Sequence, residues 1–285
     1  MRSLGPPTRL LVLLAAVHTA SSFPPSSKPP YFIMWCHGSG DTGEGARGYV
    51  NAIATERTLL ALTAEGVQFE FPTATPRPYQ LAGGRLSSVW YDRIGGMAPT
   101  NPEATASVVA SVEKLDTLID ELCEVHRIPA TNVILGGFSM GGAIGIQTAA
   151  RTRHKLGGVF ALSSYLCDDS AAWPLIEAKG GAPPAAAGLG SGTIPVFMAH
   201  GTADDFVRPE WGRATAERLQ RAGVPCEVMT IQRARHELTT TELERLFAWV
   251  GEVLGVPRQG GQAAAGSGGV GGGNDGGGAV CRYLE

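Results

Sequence analysis

Long hydrophobic runs are missing from this 285-residue chain: the apolar stretch 10–17 is too short to cross a bilayer as a helix, so no membrane span is expected in the mature chain. Charge is sparse and nearly balanced, with 17% charged residues and a formal net charge of −3. That balance excludes the basic stripe that nucleic-acid binding needs and the acidic excess of a solvating chain. Cysteine is scarce as well. Cys36, Cys123, Cys167, Cys226 and Cys281 are odd in number, far apart and never in a C-x-x-C pair, which argues against a zinc site and a disulfide framework. Cys36 precedes His37, but neighbours on a strand point to opposite faces, so the thiol reads as a buried small residue.

What is present divides the chain into three. Arg2 and Arg9, the run 10–17 and the junction Ala20-Ser21-Ser22-Phe23 follow the basic, apolar, small-residue order of a signal peptide. Residues 1–30 are set apart as a targeting leader, and passage into the secretory pathway is expected. The Ala-Ser-Ser-Phe junction also resembles presequences that deliver proteins onward to secondary plastids in algae. A leader with no targeting role, leaving a cytoplasmic protein, is the alternative. Residues 255–285 are mostly Gly and Ala, offer almost no apolar bulk against the entropy of ordering, and are expected to form a disordered tail.

Between them, residues 31–254 alternate short apolar runs with longer stretches of helical period. The pattern predicts an α/β domain with a mostly parallel sheet and helices on both faces. Strands are expected at 31–36, 67–71, 133–138, 158–162, 195–199 and 227–231. A helix is predicted from Asn101 as cap and Pro102 at its first position, with Val108, Val112, Leu115, Ile119 and Leu122 on one face, ending before Pro129. Others are expected over 46–65, 140–153, 209–221 and 241–254. The stretches 72–100 and 168–193 exceed ordinary connections and are candidate substrate-covering loops.

Gly137-Phe138-Ser139-Met140-Gly141 fits the G-x-S-x-G elbow, a sharp strand-to-helix turn that exposes a serine. In so glycine-rich a chain the pentapeptide alone is weak. Its setting is informative: an apolar strand precedes it and a small-residue helix follows. A serine hydroxyl needs a base, and the base needs a carboxylate to hold its tautomer; in this architecture both follow the serine, acid first. The later histidines are His154, His200 and His236. His154 falls at the basic end of a helix, and His200 closes a strand and reads as structural. His236 lies after the last strand, where the base belongs. Asp204 and Asp205 both sit in the turn after a strand, and the pattern does not choose between them.

Seven ordered stretches, His37 to Gly43, Pro72-Thr73-Ala74, Val89 to Arg93, Gly136 to Gly142, Gly158 to Ser164, His200 to Asp204 and His236-Glu237-Leu238, resemble the acyl-protein thioesterase and lysophospholipase family, most of all its lysophospholipase-like branch. The resemblance implies an α/β-hydrolase fold and makes Asp204, the aspartate of H-G-x-x-D, the acid of a Ser139, His236, Asp204 triad. It makes the loop after the first strand one wall of an oxyanion hole, with the backbone amides of Ser39 and Met140 as donors. It also suggests that the loop carrying Trp90 and Asp92 shapes the acyl-binding side; a plain core role for Trp90 is the other reading. The glycine loop at 38–45 lacks the lysine of a P-loop. Neither metal nor organic cofactor is required. The activity implied is hydrolysis of acyl thioesters or carboxylic esters through an acyl-enzyme, with an acylated protein, a lysolipid or a small ester as substrate. The alternative is a catalytically silent binding or scaffolding member of the fold.

Overall fold

The computed structural model describes residues 30–178, 188–191, 193–255 and 283–284. In chain order, β1 (Tyr31–Cys36) leads through the capped helix α1 (Gly43–Ile53) and α2 (Glu56–Ala64) to β2 (Val67–Glu70). The hairpin β3 (Pro76–Tyr79) and β4 (Arg85–Ser88) precedes α3 (Thr105–His126), β5 (Val133–Phe138) and α4 (Met140–Arg151). Then come β6 (Gly158–Leu162), α5 (Trp173–Glu177), β7 (Val196–Gly201), α6 (Pro209–Arg221), β8 (Cys226–Ile231), α7 (Thr240–Leu254) and β9 (Tyr283–Leu284).

The main sheet runs β2-β1-β5-β6-β7-β8-β9 with every neighbouring pair parallel, while β3 and β4 pair antiparallel on their own. Period-two alternation splits the core between the two faces. Phe32, Met34, Leu135 and Met198 pack with α3, α4 and α6, whereas Ile33, Trp35, Ile134, Phe160 and Phe197 pack with α1 and α7. All of these side chains are buried, as a parallel sheet covered on both sides requires.

Several expectations shift. The long helix starts at Thr105, and neither Asn101 nor Pro102 caps it. The reason lies in Glu103, whose backbone pairs with Arg93, whose amide is held by Asp169, and whose carboxylate accepts from Gln147, Thr105 and the Ala171 amide. The helix expected over 46–65 is two helices, because Thr55 turns extended and caps a fresh start by accepting from the Thr58 amide. The stretch 72–100 holds the β3–β4 hairpin, and α5 lies inside 168–193. Residues 1–29 of the expected leader 1–30 fall outside the described residues. Most of the tail does too, but the backbone of Tyr283–Leu284 pairs with Val228 and Met229, so the tail's end adds a strand where none was expected.

Candidate active site

Ser139 follows β5 and caps α4 at φ 55° and ψ −121°, a conformation that costs a non-glycine residue on the order of 1–3 kcal/mol. Surrounding structure holds it there: its amide donates to the Leu162 carbonyl at 2.8 Å, and the amide of Gly142 returns to its own carbonyl at 3.1 Å. The glycines around it are required by close approach. A Cβ at Gly137 would lie 2.0 Å from the Cys36 carbonyl oxygen, and one at Gly141 would lie 1.9 Å from that same atom. α4 therefore packs backbone against backbone on the end of β1.

Asp204 follows β7 and is 3% exposed. Its Oδ1 accepts from the amides of Phe206 at 3.0 Å and Val207 at 2.8 Å, and its Oδ2 lies 2.8 Å from Nδ1 of His236. Burial alone would push this carboxyl up; hydrogen bonds from His200, His236 and the Val207 amide, with the nearby His236 charge, outweigh it and hold Asp204 well below the usual carboxylate range. An ionised carboxylate only accepts, so Nδ1 of His236 carries a proton, and in the neutral imidazole Nε2 is left as a lone pair. That is the tautomer a general base needs. The imidazole contacts two rings, Phe138 at 4.7 Å and Phe206 at 5.0 Å between centroids. Phe138 immediately precedes Ser139, so the ring contact sets the imidazole beside the elbow. Among the described residues no hydrogen bond joins the Ser139 hydroxyl to His236. Asp205 points away, 73% exposed and 3.9 Å from Arg235. His154, just past the C-terminal end of α4, pairs with Asp120 of α3 at 2.8 Å.

The loop after β1 comes to the same place. Ser39 Oγ lies 3.6 Å from Sδ of Met140, which brings the residues of the two expected donor amides together. Met140 is the first residue of α4, so its amide has no carbonyl to pair with in the helix. Among the described residues, neither the Ser39 nor the Met140 amide donates to another protein group. His37 anchors the loop. Its Nε2 accepts from the Ala74 amide at 3.0 Å, which puts the ring proton on Nδ1, hydrogen-bonded to the Gly38 carbonyl at 2.7 Å. The indole of Trp90 donates to the His37 carbonyl at 2.9 Å and its ring lies 5.1 Å from the imidazole.

These contacts assign Trp90 to the buttress of the loop; it is fully buried. Asp92 accepts from the amides of Gln80 and Arg93 and so ties the β3–β4 hairpin to the chain that follows it. Sequence reasoning missed the buttress formed by Trp90 and His37, since no local pattern ties an indole to a carbonyl 53 residues away. It also missed the Phe206 ring and the second imidazole on Asp204. The spacing H-G-x-x-D carried a signal for the latter, because four residues within one tight turn bring His200 back over the acid. Burial pushes the Cys36 thiol far up, consistent with an inert core residue.

The profile of the phospholipase/carboxylesterase family matches residues 19–253. The chain belongs to that family. This carboxylesterase-family chain is 31% identical over 242 residues to lysophospholipase-like protein 1 of Mus musculus, covering 83% of this chain and 95% of the mouse protein. It is 30% identical to acyl-protein thioesterase 1 of Debaryomyces hansenii, covering 85% of this chain and 98% of the yeast protein. Among solved structures, acyl-protein thioesterase 2 of Zea mays superposes with a TM-score of 0.64 at 25% identity, over 81% of this chain and 97% of the maize one. Fold and relatives place the family member among the esterase and thioesterase hydrolases. Among its described residues no helix is long and apolar enough to cross a membrane.

Proposed function

We propose that the protein is a serine hydrolase that cleaves acyl thioesters or carboxylic esters, with Ser139 as nucleophile, His236 as general base and Asp204 as the group that orients it. The observation that carries this reading is the 2.8 Å contact of a buried, ionised Asp204 with Nδ1 of His236, beside a serine held at φ 55°. In the first half-reaction, Nε2 of His236 takes the Ser139 hydroxyl proton as Oγ bonds to the acyl carbon. The tetrahedral oxyanion is met by the Ser39 and Met140 amides, whose protons have no other protein acceptor among the described residues. Collapse breaks the bond to the thiol or alcohol, which leaves with the proton from His236. Water then repeats the sequence on the acyl-enzyme, releasing the acid and restoring Ser139. A hydrogen bond from Ser139 to His236 forms on this reading as substrate closes the site, since such contacts are commonly loose without a ligand.

An acylated protein, a lysolipid or a small ester would each present the carbonyl this site needs. Purified protein should label with a fluorophosphonate probe and hydrolyse p-nitrophenyl esters, and Ser139→Ala should abolish both. Wild-type protein that stays unlabelled and inactive refutes the reading and favours a silent binding role. For compartment, the leader carries the proposal of passage into the secretory pathway; sequencing the amino terminus of the native protein tests it, and an intact Met1 refutes it.

A further inference from the structure

Asp204 is held by two imidazoles, although the proposed chemistry uses only one. Nε2 of His200 lies 2.8 Å from the Val207 carbonyl and 3.3 Å from Asp204 Oδ2. A carbonyl only accepts, so Nε2 carries the His200 proton, which is hydrogen-bonded to that carbonyl with the carboxylate oxygen within 3.3 Å. The oxygen it reaches is the one that accepts from His236. His200 has little freedom to turn elsewhere. It is 7% exposed, and the backbone of α6 lies against its other nitrogen: a Cβ on Gly212 would sit 2.4 Å from Nδ1. On its open side is a groove of about 240 Å³. The ionisable groups lining that groove besides His200 are Glu210 and Arg213 of α6, of opposite sign, and β8 contributes only Val228, Met229 and Thr230. Asp204 is thus the charged group His200 contacts directly.

We infer that His200 is a positioning residue for the hydrolysis proposed above: by donating to Asp204 Oδ2 it draws on the same lone pairs as His236 and weakens the carboxylate's hold on the protonated base. The inference rests on the triad reading, and it has a sign. If His200 only shaped the turn, its loss would let Asp204 drift and would weaken the contact with His236. If it competes for Oδ2, its loss strengthens that contact. A more strongly held imidazolium gives up its proton at higher pH, so the two cases move the acidic limb of the kcat/KM profile in opposite directions.

The test measures kcat/KM for a p-nitrophenyl ester between pH 5 and 9, as order-of-magnitude bounds for a histidine base, in wild type, His200→Leu, His200→Asn and His200→Gln. Leu has no donor and Asn is too short to present one at the Nε2 position; Gln reaches it. The acidic limb should move up by about half a pH unit or more in Leu and Asn, lowering kcat/KM on that limb roughly threefold relative to the plateau, and should return to the wild-type position in Gln. Two donor-lacking variants keep the test decisive if one of them fails to fold. A limb that stays put or moves down in the folded donor-lacking variants overturns the inference while wild-type hydrolysis upholds the triad reading. Wild type without hydrolysis instead fails the triad reading itself.

Discussion

Asp204→Asn is the substitution on which the triad geometry is most exposed. The asparagine oxygen can stay where Oδ1 accepts from the Phe206 and Val207 amides, which places the amide NH₂ where Oδ2 now meets Nδ1–H of His236 and Nε2–H of His200. Donor would then face donor. His200 has the Val207 carbonyl to fall back on, but His236 recovers a hydrogen bond only by moving its proton to Nε2, the atom that must accept from Ser139. The base is left in the wrong tautomer with its shape unchanged. An aspartate-to-asparagine exchange of this kind in serine proteases lowers kcat about 10⁴-fold, which is roughly 5 kcal/mol of transition-state stabilisation. We expect a loss of about 10³- to 10⁴-fold in kcat, read by p-nitrophenyl ester hydrolysis and by the rate of fluorophosphonate labelling. Asp205→Asn, altering a carboxylate exposed beside Arg235, should stay within about twofold of wild type on the same scale. A folded Asp204→Asn enzyme that loses less than about tenfold, or an Asp205 variant that loses more, would refute the assignment.

Two further predictions concern stability. Glu242 is fully buried in the capping box of α7, its Oε1 has no hydrogen-bond partner, and burial raises its carboxyl to about 8. A carboxyl whose folded value lies above its unfolded value of 4.5 makes the native state the better proton binder, so stability falls as pH rises from about 4.5 to about 8. Glu242→Gln keeps an acceptor for the Thr239 amide and removes that loss: thermal unfolding should show a Tm gain on the order of 5 °C at pH 8 that disappears below pH 4.5, and a gain independent of pH would count against burial as the cause. Gly141→Ala drives a Cβ into the Cys36 carbonyl and should cost about 3 kcal/mol, roughly 6–12 °C in Tm, with activity lost in step. Gly48→Ala in α1, where a Cβ meets nothing within 4 Å, should instead raise Tm slightly; equal effects at both positions would contradict the steric account.

How much of this was legible in the sequence depended on the range of the interaction. The strands were readable because a parallel sheet buried on both faces leaves short apolar runs, as at Tyr31–Cys36 and Gly158–Leu162. The start of α3 was misread because a good local cap, Asn101 before Pro102, lost to tertiary bonds made by Glu103 with Gln147 and Ala171. The pentapeptide and its flanking elements singled out Ser139 as a candidate, and chain order singled out His236. Asp204 could not be separated from Asp205 by pattern alone. In the structure they part company through the Phe206 and Val207 amides, which draw one carboxylate inward and leave its neighbour in solvent. The Trp90 buttress was illegible for the same reason: it is a bond between an ordinary residue and a carbonyl that only the folded chain brings near.

The contact between α4 and the end of β1 has a consequence for how this protein can change. When side chains meet in a core, a larger residue on one side can be accommodated by a smaller one on the other, and such paired exchanges let sequences drift. At Gly137 and Gly141 the opposing atom is the carbonyl oxygen of Cys36, which every amino acid carries. No second substitution can remove it. The elbow is therefore locked by a partner outside the reach of mutation, and neither glycine can be exchanged by compensating for it at Cys36.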